Sequence, residues 1–188
     1  LDKVDKILLG GGMVFTFYKV QGYEIGTSLY DKEQESVACA LLEKSKGKLV
    51  LPHDIVIGQK LDAATPTKIV RSTAILPGWM GLDIGPATVK EYTKILSTAK
   101  TVIWNGPLGA FELEPFAHGT HAVARYLATL KATVVVGGGD SAAALEKFGL
   151  CDKVTLASTG GGASLELFAG KTLPGVKALE ENARKFWQ

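Results

Sequence analysis

Four short apolar runs in this chain each end in a glycine-rich turn, and this repetition constrains the fold more than any other feature. The turns begin at Gly10, Gly106, Gly137 and Gly160. A helical pattern follows each turn, and strands that alternate with helices form a parallel sheet covered on both faces. Because ligands bind beyond the carboxyl ends of the strands in such sheets, we expect the four turns to form one site.

The last unit, residues 154–168, shows this pattern most clearly. Its first residues alternate between branched and long apolar side chains, which predicts a short buried strand. Three consecutive glycines follow, Gly160, Gly161 and Gly162, and then a helix whose N-terminal N–H groups and dipole favour an anion such as phosphate. Glycine suits this turn because a Cβ would block the phosphate and disfavour a positive φ. A tight turn with nothing bound is the alternative, and this turn alone does not decide between them.

Composition limits the classes of protein that fit. The chain has 188 residues, of which 46% are hydrophobic and 21% charged, so we expect one globular domain with a sizeable core. A net charge of +2 with scattered Lys and Arg favours no nucleic-acid partner, and no apolar run is long enough to predict a membrane span. Cys39 and Cys151 are too far apart for a metal-binding pair and indicate a reducing compartment. Because the chain begins at Leu1 rather than Met, we expect it to be part of a longer protein.

Periodicity predicts the remaining elements. Residues 54–75 read as a β-excursion from the main sheet, and residues 77–86 contain too much Pro and Gly for a helix or strand, so we expect an ordered loop there. In the helix of residues 31–46, Val37, Ala40 and Leu41 are expected to face inward. Thr88 is expected to cap the next helix. The predicted helices are residues 14–20, 31–46, 88–99, 115–130, 142–148 and 176–188, and the predicted strands are residues 6–9, 49–52, 55–58, 67–71, 101–104 and 133–136.

Polar residues at these turns are candidates for chemistry. Asp140 follows the turn at Gly137, where it either caps a helix or binds Mg²⁺ beside a phosphate, and the second interpretation is favoured by the neighbouring phosphate candidate. Ser141 either caps the same helix or bonds a phosphate. Glu112 either accepts hydrogen bonds from ribose hydroxyls or is a solvated residue in a first helical turn. Asn105 either donates to a phosphate oxygen or closes its turn.

Apolar residues near the same turns offer a place for a nucleotide base. Met80, Leu82 and Leu108 either form an apolar slot for a flat base or belong to the core. No glycine-Lys-Ser/Thr phosphate loop, protein-kinase catalytic loop or Ser-His-Asp arrangement is found in the sequence. Pattern alone therefore predicts a phosphate-bearing ligand, and favours a nucleotide, across the strand ends.

Five motifs, taken together in this order and spacing, resemble the C-terminal, nucleotide-binding half of the phosphoglycerate kinase family. The resemblance runs from Leu1 to about Leu179. It implies a three-layer α/β/α, Rossmann-like parallel sheet with a small β-excursion over residues 1–175, followed by a C-terminal helix or tail over residues 176–188. The motifs are Gly-Gly-Gly-Met at 10–13, Trp-Met-Gly-Leu-Asp-Ile-Gly-Pro at 79–86, Trp-Asn-Gly-Pro at 104–107, Gly-Gly-Gly-Asp-Ser at 137–141 and Ser-Thr-Gly-Gly-Gly-Ala-Ser at 158–164.

The resemblance also implies a reaction and a set of roles. The family transfers a phosphoryl group between 1,3-bisphosphoglycerate and MgADP, giving 3-phosphoglycerate and MgATP in glycolysis. By resemblance, Asp140 binds Mg²⁺, Glu112 holds the ribose hydroxyls, and Asn105 and Ser141 approach the nucleotide phosphates. The three glycines of the last turn would present N–H groups to the phosphoryl group in transfer. The residues assigned to the adenine and nucleoside pocket are Gly12, Gly81, Leu82, Gly106 and Leu108.

The family pattern has an N-terminal domain that binds phosphoglycerate, and this domain is missing from the chain. A central strand just upstream of Leu1 is missing too, so the resemblance implies a gap beside residues 6–9 that another segment or chain fills. We expect the chain alone to bind MgADP or MgATP weakly and not to turn over. Family members are usually cytosolic monomers, and some lie in plastids.

Two other functions compete with this interpretation. A non-catalytic nucleotide-binding or interaction module would keep the same pocket without the chemistry, although the intact Asp140 and glycine turns argue against it. A Rossmann-type dehydrogenase is disfavoured because no Gly-x-Gly-x-x-Gly fingerprint with a downstream acidic residue appears at a first strand-to-helix turn.

Overall fold

The computed structural model describes residues 1–186 and shows a mixed α/β protein, in agreement with the predicted fold class. Short 3-10 helices at Lys32–Gln34, Glu114–Phe116 and Cys151–Lys153 link longer elements. The strands are β1 (Ile7–Leu8), β2 (Leu49–Val50), β3 (Asp54–Gly58), β4 (Thr67–Arg71), β5 (Met80–Ile84), β6 (Thr101–Asn105), β7 (Thr133–Gly137) and β8 (Leu156–Ser158). The helices are α1 (Val14–Val20), α2 (Glu35–Lys44), α3 (Pro86–Leu96), α4 (His118–Leu127), α5 (Gly139–Lys147), α6 (Gly161–Phe168) and α7 (Pro174–Phe186).

Parallel pairing joins the strands that precede the glycine turns, in two groups. Strands β6, β7 and β8 form one parallel sheet in that order, and β1 pairs in parallel with β2. Within residues 1–186, β1 has a strand on one side only, and β6 likewise pairs only with β7. Pairing of β1 on both sides would have contradicted the expected gap, and no such pairing occurs among residues 1–186.

The β-excursion contains one more strand than predicted. Strands β4, β3 and β5 form an antiparallel sheet, so residues 80–84, predicted as loop, are a strand. The reason is tertiary: β3 supplies the hydrogen-bonding partner that the local sequence does not reveal. Gly81 also has a packing role, since a Cβ there would lie 2.2 Å from the Phe15 ring. Glycine usually weakens a strand, but at this position it lets the strand pack closely against Phe15.

The third helix begins earlier than predicted, at Pro86, and Thr88 is not its cap residue. Thr88 is fully buried in the first turn, where its hydroxyl donates to the Asp54 carboxylate at 2.7 Å. The same carboxylate accepts the backbone N–H groups of Ala87 (3.0 Å) and Thr88 (2.8 Å). Strand β3 therefore caps α3 from outside the helix, an arrangement invisible to a local capping rule.

Two apolar clusters form the core. The larger one lies around the parallel strands β6 and β7 and includes Trp104 and Leu145, and the second lies around β3 and α1 and includes Phe15 and Ile57. The expectation that Val37 faces inward is wrong: its side chain is 48% exposed, and Ala38 is the buried residue of α2. The 3-10 turn at Lys32–Gln34 precedes α2, so the helix begins later than predicted.

The end of the chain is far less buried than the rest. Strand β8 was expected to be buried, but Leu156 is 55% exposed because β8 is an edge strand paired only with β7. Helices α6 and α7 contain no buried residue. The predicted C-terminal helix extended to Gln188, and its last two residues lie outside the described part of the chain. Across residues 1–186, no helix combines the length and the apolar character that crossing a membrane requires.

Candidate nucleotide site

The turns after β7 and β8 touch each other at the carboxyl edge of the parallel sheet. The last residues of β6, β7 and β8 are in register, with Asn105 opposite Gly137 and Gly137 opposite Ser158. The Gly138 N–H donates to the Ser158 carbonyl oxygen at 2.9 Å. A Cβ on Gly161 would lie 2.8 Å from the Gly138 Cα, so the two backbones approach as closely as glycine allows.

The turns after β1 and β6 are also in contact. The Gly11 N–H donates to the Leu108 carbonyl oxygen at 3.0 Å. Gly11 has a positive φ of 65°, and a Cβ there would lie 2.8 Å from the Pro107 carbonyl oxygen. These contacts, with those of the last two turns, connect all four glycine turns along one edge.

Ser141 holds the turn after β6 to helix α5. Its side chain is fully buried, and its Oγ accepts the Gly106 N–H at 2.6 Å. Gly106 has a positive φ of 91°, which favours glycine at this bend. The contact seen for Ser141 is thus to the protein backbone, and phosphate binding by this hydroxyl stays a prediction.

Asp140 lies in the first turn of α5 with an exposed side chain. Helix α5 begins at Gly139, three residues before its predicted start at residue 142, so the carboxylate belongs to the helix itself. Among residues 1–186, no group of three or more His, Cys, Asp and Glu side chains is arranged to hold a metal ion. Mg²⁺ is commonly held by one or two carboxylates together with substrate phosphates and waters, so a single exposed Asp fits a nucleotide-bound Mg²⁺.

The three glycines at the start of α6 differ from expectation in one respect. None of them has a positive φ, so conformational freedom is not why glycine is needed here. The Gly160 N–H donates to the Ser158 Oγ (3.2 Å) and the Gly161 N–H to the Thr159 carbonyl oxygen (2.9 Å). In the described part of the chain, the N–H groups of the first turn that lack an acceptor are those of Gly162 and Ala163. Ala163 was not among the predicted site residues.

Comparison with known proteins places this geometry in a family. A family model described as phosphoglycerate kinase matches residues 1–171. The chain belongs to the phosphoglycerate kinase family.

Relatives and solved structures agree with this assignment. The cytosolic phosphoglycerate kinase of Triticum aestivum is 56% identical over 187 residues, covering 96% of this chain and 47% of that protein. Phosphoglycerate kinase 2, chloroplastic, of Arabidopsis thaliana is 54% identical, covering 96% of this chain and 39% of that protein. The structure of phosphoglycerate kinase from Coxiella burnetii superposes with a TM-score of 0.89 at 41% identity, covering 94% of this chain and 46% of that one. The chain therefore spans about half the length of the curated relatives it matches.

In this phosphoglycerate kinase family member, the residues predicted for the nucleoside pocket occupy different environments. Leu108 is buried in the main core, so it belongs to the core as well as to the turn after β6. Leu82 is partly buried, and its carbonyl oxygen accepts the Ala110 N–H at 2.8 Å. Gly12 faces Leu29, whose side chain is largely exposed and would lie 2.7 Å from a Cβ at Gly12. Sequence reasoning missed Leu29, because it lies in an irregular segment with no motif.

Asp83 lies within the motif at 79–86, but no role was predicted for it. Its carboxylate is buried and accepts the N–H groups of Gly119 (2.7 Å) and Ile84 (2.9 Å). Burial raises the pKa of Asp83 from 3.8 to about 7, and the two backbone hydrogen bonds act in the opposite direction. Gly109 packs directly against this carboxylate, so Asp83 supports the segment that leads to Glu112.

Glu112 itself has an exposed side chain at the end of that segment. The turn is closed by the Leu113 N–H, which donates to the Ala110 carbonyl oxygen at 3.0 Å. Lys147 of α5 donates to the carbonyl oxygens of Phe111 (2.7 Å) and Glu112 (3.0 Å). The predicted ribose residue is thus tied to the helix that carries Asp140.

One surface depression lies away from these turns. A shallow cleft of about 380 Å³ beside β2 is lined by residues such as Tyr18, Leu51 and His53, and by none of the predicted site residues. The candidate nucleotide site is in contrast an open rim formed by backbone turns. An open rim suits a ligand that is held by main-chain groups and a metal-bound phosphate chain.

Proposed function

We propose that this chain supplies the nucleotide-binding half of an enzyme that transfers a phosphoryl group between 1,3-bisphosphoglycerate and MgADP. The products are 3-phosphoglycerate and MgATP. Membership of the phosphoglycerate kinase family supports the reaction class, and the chain's half-length coverage of its relatives makes the complete activity a matter for the whole protein.

The observation that carries the proposal is the meeting of the four turns at the carboxyl ends of β1, β6, β7 and β8. The backbones of Gly138 and Gly161 are in close contact. The Gly106 N–H donates a hydrogen bond to the Ser141 hydroxyl, and the Gly11 N–H donates one to the Leu108 carbonyl oxygen. A polyphosphate on this rim lies within reach of backbone N–H groups from two helix N-termini, those of α5 and α6.

In this proposal each predicted residue takes the role that the family resemblance implies. Gly12, Gly81, Leu82, Gly106 and Leu108 form the adenine and nucleoside pocket. Glu112, exposed beside that pocket, accepts hydrogen bonds from the ribose hydroxyls, and Asn105 and Ser141 approach the nucleotide phosphates.

The glycine turn before α6 serves the phosphoryl group in transfer. Gly160, Gly161 and Gly162 leave the rim free of Cβ atoms, and the unpaired Gly162 N–H is the best-placed donor of the three. Because the Gly160 and Gly161 N–H groups have partners inside the turn, they contribute after an exchange of hydrogen bonds.

Asp140 holds the Mg²⁺ of MgATP or MgADP in this proposal. When bound, the ion neutralises charge on the phosphate oxygens that develops during transfer. The chain's own contribution is to fix the nucleotide in place and to offer dipoles to the transferring group, which lowers the barrier without covalent chemistry.

The rest of the enzyme lies outside this chain. Phosphoglycerate is bound by the N-terminal domain, and closure of the two domains excludes water from the transfer. A central strand completes the sheet between β1 and β6. We propose that residues 1–175 form the nucleotide-binding domain and residues 176–188 a C-terminal helix or tail. We also propose that the whole enzyme is a monomer. Its proposed compartment is the cytosol, which the names of several relatives indicate, and a plastid is the alternative.

Calorimetric titration of the 188-residue chain tests the nucleotide site. We expect weak binding of MgADP, weaker binding of ADP with EDTA, and no binding of NAD. Asp140→Asn should lower the affinity for MgADP by about tenfold or more (~1.4 kcal/mol) while leaving the affinity for Mg-free ADP unchanged.

The matched control is Asp152→Asn, which removes an exposed carboxylate from the 3-10 turn Cys151–Lys153. It should leave both affinities unchanged. Binding of NAD in place of MgADP would overturn the proposal, and so would equal affinity of Asp140→Asn and the unaltered chain for MgADP. Formation of ATP from 1,3-bisphosphoglycerate by this chain alone would show that the N-terminal half is not required.

A further inference from the structure

Helix α5 contacts the segment that leads to Glu112 through one side chain near its C-terminal end. The Lys147 ammonium donates two hydrogen bonds, to the Phe111 carbonyl oxygen at 2.7 Å and to the Glu112 carbonyl oxygen at 3.0 Å. It also lies 5.9 Å from the centre of the Phe111 ring. One charged group thus fixes two consecutive peptide units, which restricts the direction in which the Glu112 side chain leaves the backbone.

The position of Lys147 along α5 links it to Asp140. The two residues lie seven positions apart, which is about two turns, so they share one face of the helix. Between them, Ser141, Ala144 and Leu145 are buried and anchor the helix in the core. A rigid helix therefore carries the metal-binding candidate at one end and holds the ribose candidate at the other.

The segment from β6 to α4 is in this way held by α5 at two places. Ser141 accepts the Gly106 N–H at its start, and Lys147 donates to Phe111 and Glu112 near its end. The far end is also held by burial of Phe111 and by the Ala110 N–H, which donates to the Leu82 carbonyl oxygen. Lys147 adds the contact that fixes the orientation of the Phe111 and Glu112 carbonyl groups, because an ammonium hydrogen-bonded to two carbonyl oxygens resists rotation of their peptide units.

We propose that Lys147 is a positioning residue of the nucleotide site, which orients Glu112 toward the ribose at a fixed distance from the Asp140 end of α5. The inference rests on the proposed nucleotide function and adds a residue to it. Lys147 touches neither the nucleotide nor the metal in this scheme and acts through the backbone of Phe111 and Glu112.

A simpler role for Lys147 is to stabilise the C-terminal end of α5, since a cation in the last helical turn interacts favourably with the helix dipole. That role would affect the stability of the helix and hence all ligands equally. The positioning role is specific, because it affects only ligands that carry ribose hydroxyls. The two roles are therefore separable by the choice of nucleotide.

The experiment compares MgADP with the magnesium complex of 2′,3′-dideoxyadenosine diphosphate, which lacks both ribose hydroxyls. Calorimetry on the 188-residue chain gives the affinity ratio, defined as the affinity for MgADP divided by the affinity for the dideoxy complex. Lys147→Met keeps the apolar stem and removes the donors, and we expect it to lower this ratio by about fivefold (~1 kcal/mol) with the dideoxy affinity unchanged. Lys147→Arg, which keeps the charge and the donors, should restore at least part of the ratio.

Two further variants complete the design. Glu112→Gln should lower the same ratio, and the double variant with Lys147→Met should lower it no further, because the two residues act in one chain of contacts. Lys131→Met alters an exposed lysine that precedes β7, at the sheet edge opposite the rim, and should change neither affinity.

Hydrogen exchange gives a readout without any ligand. The Leu113 N–H, which closes the turn, should exchange faster in Lys147→Met, whereas the amides of Ala144 and Leu145 in α5 should not. An equal loss of affinity for both nucleotides, or an unchanged ratio together with unchanged Leu113 exchange, would overturn the positioning role. Failure of the unaltered chain to bind MgADP would instead refute the proposed function, so the two failures are distinct.

Discussion

The turns after β7 and β8 meet on the same rim, yet they are anchored in different ways. Behind the first turn, α5 buries Ser141, Ala144 and Leu145 in the main core. Behind the second turn, α6 buries no residue, and Leu165 is 53% exposed. The second turn is held mainly by strand pairing and by the close approach of Gly161 to Gly138.

This difference shows that one site can combine a rigid part and a loosely held part. The turn that carries Asp140 is fixed by side-chain burial, so its geometry is set before any ligand arrives. The turn of Gly160–Gly162 depends on backbone hydrogen bonds at an edge strand, so its opening costs less free energy. The metal-binding candidate therefore belongs to the rigid part and the phosphoryl-binding candidates to the loosely held part.

The largest expected contrast is between two leucines, one behind each turn. Leu145→Ala removes a fully buried side chain and should lower the free energy of unfolding by about 2–5 kcal/mol. Leu165→Ala alters a half-exposed side chain of α6 and should change it by less than about 0.5 kcal/mol. Urea unfolding of both variants measures the difference, and equal losses would mean that α6 is anchored as firmly as α5.

The buried Asp83 carboxyl group should make the free energy of unfolding depend on pH. Burial raises its pKa to about 7, so the folded state keeps a proton that the unfolded state, with an ordinary value of 3.8, has released. Stability from this group is complete below about pH 4 and is lost as the pH rises toward 7. Between about pH 4.5 and 6.5 the loss should be on the order of 1.4 kcal/mol per pH unit.

Asp83→Asn, which carries no titrating proton, provides the comparison. The difference in unfolding free energy between the unaltered chain and this variant should fall with rising pH over that range, because only the unaltered chain must take up a proton when it folds. Parallel pH profiles of the two proteins in urea unfolding would contradict the raised pKa. Hydrogen-exchange protection in α6, corrected for the intrinsic pH dependence of amide exchange, should follow neither profile, because we expect a helix with no buried residue to open separately from the core.

The smallest contrast concerns a single Cβ on each turn. Gly138 has a φ of +104° and a ψ of 142°, a region that glycine alone adopts readily, so Gly138→Ala should cost about 1–3 kcal/mol. Gly162 lies in the first turn of α6 with no positive φ, and a Cβ there meets nothing within 4 Å. Gly162→Ala should therefore stabilise α6 by up to about 1 kcal/mol. Thermal unfolding and α6 amide exchange measure the two effects, and a destabilised α6 in Gly162→Ala would contradict the assigned backbone.

Several features were predictable because they depend on local signals. The helix at Val14–Val20 and the strand-turn-helix order around residues 133–147 and 156–168 follow from periodicity and from glycine at the turns. The family was evident from five motifs in order. The roles of the twelve predicted site residues stay predictions, although the contacts reported above bring their turns together.

Other features were mispredicted or missed because they depend on distant partners. Residues 80–84 form a strand because β3 lies beside them, and α3 begins at Pro86 because Asp54 accepts its first N–H groups. Leu156 is exposed because β8 has a neighbour on one side only. No local pattern carries this information.

The sequence by itself determined where the turns are and which residues they contain, because glycine content and apolar periodicity act over a few residues. The resemblance to the family came from the order and spacing of five motifs. The tertiary structure alone decided how these turns are supported. Burial raises the pKa of Asp83. The hydrogen bond between Ser141 and Gly106, and those that Lys147 donates to Phe111 and Glu112, join residues far apart in the chain. Such contacts form only when the chain folds, so they are read from the structure and not from the order of residues.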